Sequence, residues 1–531
     1  MAAQTPGYGW AKQGVFQVGK GKTLAIPMEI HASSRAKLAG LMKSRDCPDG
    51  FVLLQGGDEQ CQYDSDTEPV FRQDSWFNYL FGVKEPGMYG VVDIATGKST
   101  LFIPRLDEEY KIWCGDILSA DTFRLSYAVD EVCYTDELAQ WIEARMDASK
   151  KLYILDGVNS DSGLNAKNAS FPGISIYYDQ GVVDKTALHH ALSTARVTKS
   201  TAEVEVMRYC AWVASNAHVE VMRQAAAGMI EYELEAIFAY EIYRRGGCRK
   251  CAYTAICGCG PDGATLHYGH AGAPNDRVIQ DNDMCLLDMG AEYHGYVSDI
   301  TCSFPIGRFT ADQRAIFTGV LNAQIAVAKL MAPGVSWVDC HLAADREVVI
   351  ALLGLGVLQN GTVDELCAAK MGAVFMPHGL GHLIGCDTHD VGGYIDGTPE
   401  REKAPGTGKL RTARVLEEGM VMTSEPGCYF INALIDNALN NPAQAKFINK
   451  EIVDRFRGFG GVRLEDVVLV TKDGVENLTT APRTIDEVES VRAGGAWPPA
   501  IDTCPVLKRK WHTLGLKGEG MVPLPVLIQE E

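Results

Sequence analysis

Four carboxylates and one imidazole in the C-terminal half of this chain are the residue types of a two-metal hydrolytic centre: Asp288, Asp299, His382, Glu425 and Glu465. Each sits in its own glycine-rich or strand-like context, namely LLDMG, YVSDIT, HGLGH, TSEPG and GVRLED. The flanks CLLD and VRLEDVVLV read as buried strands. A carboxylate buried there must be paired or cation-bound, because an isolated ionised group is too costly to desolvate. Such a set can hold two divalent cations side by side if two of the carboxylates bridge. Hard oxygen donors favour Mn²⁺, Co²⁺ or Fe²⁺ over a thiolate-type zinc centre, although Zn²⁺ also binds such ligands. Two cations about 3.5–4 Å apart activate a shared water and polarise a carbonyl together. That is the chemistry of peptide or amide cleavage.

The elements that must position these groups are partly legible. Asp288 and Asp299 are eleven residues apart with Gly290 and Gly295 between them, so a hairpin is expected to bring both carboxylates to one side of a sheet. Thr310 to Gln313 forms a T-x-x-Q capping box for a helix ending near Pro333 and Gly334, and a second helix is expected from Ser336 toward Gly354. Upstream, Val204, Met207, Cys210 and Val213 recur at helical spacing as the core face of a long helix. Residues 180–197 read as a polar, patternless connection. Before them, β-like runs (FVLLQG, YGVVDIATGKSTLFIP, KLYILDG) alternate with helical patterns such as TDELAQWIEARM, whose start Thr135 or Asp136 is expected to cap. The expected organisation is an α/β domain over residues 1–195, a catalytic domain over 196–490 and a C-terminal extension over 491–531. Gly/Pro punctuation marks that extension as a poorly ordered arm, with LKRKWH a small basic patch; the alternative is that the apolar MVPLPVLI docks on the body or on a partner.

At 531 residues the chain exceeds what one hydrophobic core supports, so two domains are expected. Lys+Arg 49 against Asp+Glu 68 gives a net charge of -19, which argues against nucleic acid or an anionic membrane surface as partner. No run of 18 or more apolar residues suggests a membrane helix, and the first residues lack the apolar core of a secretory signal. The chain is therefore expected in the cytosol, with its sixteen cysteines as thiols. Cys248, Cys251, Cys257 and Cys259 are crowded enough to raise a zinc site. The second pair is C-x-C in a strand-like run, however, which spoils the knuckle geometry and favours four thiols.

Several longer segments carry a resemblance. LHYGHAGAPNDR (266–277), MPHGLGHLIGCDTHDVGGY (376–394), LRTAR (410–414) and FRGFGGVRLED (456–466), with LLQGGDE, FRQDSWFNYLFGVKEPG and TGKSTLFIPRL upstream, resemble the pita-bread metallopeptidases, and most closely the Xaa-Pro dipeptidases (prolidases). The resemblance runs from roughly residue 15 to roughly residue 490. It implies an α+β fold in which a C-terminal pita-bread domain, two similar α+β halves around the metals, follows a smaller α/β creatinase-like domain. It implies that Asp288 binds one metal and His382 and Glu425 the other, with Asp299 and Glu465 bridging and a hydroxide held between the metals as nucleophile. Glu425 would carry the proton to the leaving nitrogen, and His267 and His389 would steady the scissile carbonyl. His378, Arg463 and Tyr253 would be further substrate contacts. Thr301 and Thr423, two residues from Asp299 and Glu425, are expected to orient them from behind.

The activity implied is hydrolysis of Xaa-Pro dipeptides with release of proline, by a homodimer that uses two divalent ions, Mn²⁺ foremost. Arg411 would grip the dipeptide's terminal carboxylate as a bidentate fork. Arg463 would either share that grip or pair with Glu465. Trp113 is a candidate cover for the partner's cleft. The alternative is aminopeptidase P-like removal of the first residue from longer Xaa-Pro peptides. A non-catalytic relative would be expected to have lost ligands, and all five are here.

Overall fold

The computed structural model describes residues 14–19, 22–270 and 275–510. Residue contacts divide the chain between Val197 and Thr198 into two compact units.

The first unit is built on a mixed six-stranded sheet. Its strands are β1 (Phe51–Gln55), β2 (Tyr89–Asp93), β3 (Ser99–Ile103), β4 (Glu131–Tyr134), β5 (Leu152–Ile154) and β6 (Val183–Asp184), in the spatial order β4-β3-β2-β1-β5-β6. The run of consecutive buried residues in β1 is what a strand covered on both faces requires. Trp141 packs edge-on against Phe51 and Phe102 at 5.5 and 5.6 Å between ring centroids. Helix α1 (Glu29–Ser44) packs against α2 (Ala187–Val197). The expected patternless connection is therefore strand β6 followed by α2, whose buried Leu188, Ala191, Leu192 and Ala195 recur at helical spacing. The interleaved His189, His190, Ser193 and Thr194 disguise that stripe. The capping expectation also needs correction. Glu137 Oε2 accepts from the Tyr134 N–H at 3.1 Å at this helix start, while Asp136 pairs with Arg105.

The second unit repeats one plan twice: a helix pair followed by a three-stranded antiparallel sheet. In the first half, α3 (Thr201–Gln224) and α4 (Glu231–Gly246) precede β7 (Ile256–Cys259), β8 (Met284–Asp288) and β9 (Thr301–Pro305). In the second, α5 (Ala311–Leu330) and α6 (Trp337–Gly354) precede β10 (Val421–Ser424), a two-stranded insert of β11 (Gly427–Tyr429) and β12 (Gly461–Arg463), then β13 (Asp466–Thr471) and β14 (Gly474–Asn477). Val204, Met207, Cys210 and Val213 are buried on α3. Thr310 and Gln313 close the expected capping box of α5, and Ser336 caps α6.

The Asp288–Asp299 connection is more elaborate than one hairpin. β8 and β9 do pair antiparallel, with Asp288 opposite Thr301. The residues between them form their own hairpin, Ala291–Tyr293 with Tyr296–Val297, which pairs with Lys250–Cys251 instead. His294 and Gly295 take positive φ at its tip, as a tight two-residue turn requires. Asp299 thus lies just outside the strands.

The described part of the C-terminal arm, to Lys510, packs on the body. Arg509 is buried against Glu487 and Asp502, and its backbone bridges to Asn477. Trp497 Nε1 donates to the Thr480 carbonyl at 3.0 Å, and Lys510 pairs with Glu476. The basic run read as a surface patch is therefore partly an anchor. Trp511, His512 and the MVPLPVLI segment lie outside the described residues. Among the described residues no helix is long and apolar enough to cross a membrane.

Candidate active site

The four expected carboxylate ligands lie at strand ends or junctions, where a side chain can leave a sheet without breaking its ladder. Asp288 is the last residue of β8, and Asp299 falls two residues before β9. Glu425 separates β10 from β11, and Glu465 separates β12 from β13. The Glu465 N–H donates to the Thr301 carbonyl at 3.1 Å, which joins the two halves at the site.

His382 sits on an extended segment running beside β10. Thr423 N–H donates to the His382 carbonyl, Glu425 N–H donates to the Leu380 carbonyl, both at 2.8 Å, and Leu383 bridges Met422. A Cβ at Gly381 would lie 2.1 Å from the Thr423 carbonyl oxygen, so only glycine permits this approach. That explains why HGLGH is not a helix.

The geometry at the centre is close. His382 Nδ1 lies 3.0 Å from the Leu383 carbonyl, which holds the proton on that nitrogen and turns Nε2 inward. Nε2 is then 3.3 Å from Asp299 Oδ2 and 3.7 Å from Glu425 Oε1. Ligand atoms of Asp299, His382 and Glu465 all fall within 4.8 Å of one another.

Burial and mutual repulsion raise most of these carboxyls. Glu425 is pushed up to about 7, chiefly by burial, and Glu465 goes well above the usual range through burial and its acidic neighbours. Burial lifts Asp288 to about 6 against the pull of Arg463. Asp299 alone ends below its ordinary value, because its bond and attraction to His382 outweigh its burial.

Arg463 is the hub behind these acids and also lines the cleft. Its Nη2 binds Asp288 Oδ2 at 2.6 Å, Nε donates to Thr301 Oγ1 at 2.9 Å, and Nη1 donates to the Tyr429 hydroxyl at 2.9 Å. The expected pairing with Glu465 runs instead through Thr301, whose hydroxyl donates to Glu465 Oε2 at 2.7 Å. Thr301 thus orients Glu465 and not Asp299. Thr423 likewise serves His382, accepting its backbone N–H at 3.1 Å, and not Glu425. Tyr253, expected to touch substrate, stands behind the site and donates to Asp288 Oδ1 at 2.6 Å.

His378 is also engaged. Its Nδ1–H donates to the Gly379 carbonyl, so Nε2 accepts from the Tyr429 hydroxyl at 2.9 Å. Burial, with Arg463 nearby, lowers its pKa to about 3 and keeps it neutral. His389 stacks edge-on against His382 at 4.5 Å, and burial lowers it to about 3 as well.

The five ligands, His267, His378, His389, Arg411 and Arg463 line one cleft of about 290 Å³. The sequence reading missed Lys409, which lines the same cleft. Its two-residue spacing from Arg411 was an available signal, hidden by the polar composition of the EREKAPGTGK loop. Larger hollows of about 480 and 640 Å³ in the first unit bring together no comparable set of ligands. The four crowded cysteines form no ligand cluster among the described residues: Cys259 Sγ faces Cys285 Sγ at 3.1 Å, and Cys257 Sγ faces the Met289 sulfur.

Comparison with known proteins agrees with this geometry. The model of Metallopeptidase family M24 matches residues 205–472, and that of the aminopeptidase P N-terminal domain matches residues 31–153. The chain belongs to metallopeptidase family M24. It is 50% identical over 476 residues to the Xaa-Pro dipeptidase of Homo sapiens, covering 89% of this chain and 95% of that protein. A probable Xaa-Pro aminopeptidase of Botryotinia fuckeliana is 38% identical over 86% of this chain and 95% of that one. Among solved structures, the aminopeptidase PepP of Pseudomonas aeruginosa superposes with a TM-score of 0.72 at 34% identity, covering 88% of this chain and 98% of that one. Zinc-substituted aminopeptidase P of E. coli, in complex with product, gives 0.70 at 28% identity, covering 88% and 99%. This M24 chain has the pita-bread catalytic domain preceded by the smaller N-terminal domain, and it is a metallopeptidase. Its residues fit divalent metal on their own evidence as well. Four carboxylates crowd one buried cleft, and Asp299 Oδ1 is buried without a hydrogen-bond partner.

Proposed function

We propose that the chain hydrolyses Xaa-Pro dipeptides and releases proline. The observation that carries this is a cleft that brings four carboxylates and His382 together with Arg411. At about 290 Å³ the cleft lies at the small end of ligand pockets, and the likeness to the human Xaa-Pro dipeptidase supports the same substrate class.

Asp288 would hold one cation and His382 with Glu425 the other, with Asp299 and Glu465 shared. When bound, the pair supplies an activated water and polarises the scissile carbonyl. The protein does the rest. Glu425 takes a proton from the attacking water and passes it to the departing imide nitrogen. His267 and His389, whose pKa values burial lowers, are neutral N–H donors toward the carbonyl oxygen. Arg411 grips the terminal carboxylate, with Lys409 beside it. Proline offers no N–H, so recognition falls on its ring and that carboxylate.

Mn²⁺ is the proposed native ion, on the hard-oxygen character of the ligands. All sixteen cysteines are free thiols, which supports a reducing, cytosolic setting. A homodimer assembled through residues 1–195 is proposed. The exposed Ile112 and Trp113, at 76% and 78%, offer it an apolar contact and a cleft cover. Within this scheme residues 196–490 form the catalytic domain.

The test is proline release from Gly-Pro against Gly-Pro-Gly, with metal-stripped protein reloaded in turn with Mn²⁺, Co²⁺ and Zn²⁺. Cleavage of the dipeptide alone, restored by one metal, is the expected result. Equal cleavage of both peptides would overturn the dipeptidase reading in favour of the aminopeptidase.

A further inference from the structure

The segment from His382 to Asp390 carries a metal ligand at one end and the substrate-facing His389 near the other. It is closed by the Asp390 N–H donating to the Leu383 carbonyl at 2.8 Å, and held from outside by the Val297 N–H on the Gly385 carbonyl at 3.0 Å. Among the described residues no hydrogen bond fixes either ring nitrogen of His389. The aim of that ring is therefore set by the backbone beneath it, and the next residue in that backbone is Asp390.

The Asp390 carboxylate does not face solvent or the metals. Its Oδ1 accepts from the Val391 N–H at 3.1 Å, and Oδ2 lies 3.1 Å from Lys199 Nζ, with both side chains only 1% exposed. Lys199 is itself rigidly held. Its N–H donates to the Gly419 carbonyl at 2.7 Å, its neighbour Thr198 bridges Met420, and Ser200, which follows, caps α3. The pair thus pins the His389 loop to the start of α3 and to the chain entering β10. Gly385 completes the fit, because a Cβ there would lie 2.3 Å from Asp390 Oδ2 and 2.9 Å from Lys199 Cε.

Two charges taken out of water roughly break even in stability, and replacing both with apolar groups of similar volume is often neutral. What such a pair can supply is one defined loop position. Misplacing a catalytic contact by about 1 Å costs on the order of 100-fold in rate.

We propose that Lys199 and Asp390 are a positioning pair that aims His389 at the scissile carbonyl, an assignment that rests on the dipeptidase reading above. The pair acts on the chemical step and not on metal retention or the fold.

The test uses the full-length, metal-loaded enzyme and three variants: the double Lys199→Met with Asp390→Leu, the single Asp390→Asn, and the conservative Lys199→Arg. The measurements are kcat and KM on Gly-Pro, bound metal per chain, and the unfolding temperature. The expected result is a double variant with a full metal complement and an unfolding temperature close to the parent's, yet with kcat down about 100-fold and KM little changed. Asp390→Asn, which keeps the bond to the Val391 N–H, should fall in the same direction, and Lys199→Arg should recover most of kcat. Parental kcat in either of the first two variants overturns the proposal. So does a loss of activity that only tracks lost metal or lost fold, in the double variant or, if that does not fold, in Asp390→Asn. An unmodified protein inactive on Gly-Pro would fail the dipeptidase reading and this inference with it, whereas an active parent with unaffected variants fails this inference alone.

Discussion

Arg463 and Thr301 show how a metal site is held from behind. The arginine neutralises Asp288, and through the threonine hydroxyl it reaches Glu465, so one guanidinium serves two of the expected ligands. Thr301→Val removes that hydroxyl without a large change in volume. Arg463 Nε and Glu465 Oε2 then both lose a buried partner, at a cost of about 1–3 kcal/mol. Metal affinity should fall by roughly 10- to 100-fold, as losses behind a ligand usually cause. Chelator competition measures the affinity and urea unfolding the stability, and unchanged affinity would show that Thr301 does not support Glu465. The acids were legible because each stands in an apolar strand context. Their supports were not, because the partner of Thr301 lies 164 residues away and no local spacing reports it.

Helices α5 and α6 begin where Thr310 and Ser336 place them, whereas the cap expected at Thr135 or Asp136 falls to Glu137. Helix α2 was missed because its apolar stripe is broken up by histidine, serine and threonine. The C-terminal arm was misread for a different reason. Its Gly/Pro content is that of a flexible tail, but Arg509 is buried against Glu487, which lies 22 residues earlier on helix α7 (Ile485–Arg492). Glu487 Oε2 also accepts the Arg483 N–H, and the Arg483 guanidinium reaches the Glu465 carbonyl and Asp466. The arm therefore braces the strand junction that presents Glu465. Arg509→Met strands the buried Glu487 carboxylate and removes a partner of the half-buried Asp502, and should cost about 3–5 kcal/mol. Urea unfolding checks it, and a cost below about 1 kcal/mol would mean that the arm is only draped on the surface.

Metal and fold are coupled through the two halves of the catalytic unit, since Asp288 and Asp299 come from the first half while His382, Glu425 and Glu465 come from the second. Without metal, Glu425 titrates near 7 and Asp288 near 6, both above their ordinary values of 4.5 and 3.8. A folded pKa raised above the unfolded one means that the folded state binds the extra proton. The contribution of these two groups is then greatest below about 4 and is lost as pH rises through 6 to 7. The gap in unfolding temperature between chelator-treated and metal-loaded protein should therefore widen between pH 5 and 7.5. Divalent metal binds the ionised form, so the loaded protein should lose this dependence or reverse it. Calorimetry with and without chelator reads both, and identical profiles would sink the metal-site assignment.

Residue type and local context were enough to nominate the five residues that meet in the cleft, the two units, helices α5 and α6 and the family, because each of these is written within a few residues or a short motif. Burial and strand register decided the rest. They assigned Arg463 to Asp288, Thr301 to Glu465, Thr423 to His382 and Tyr253 to a supporting place, docked Arg509 in the body, and put Lys409 in the cleft. Each of those outcomes depends on which groups distant in sequence meet in space, and on which remain out of reach of water.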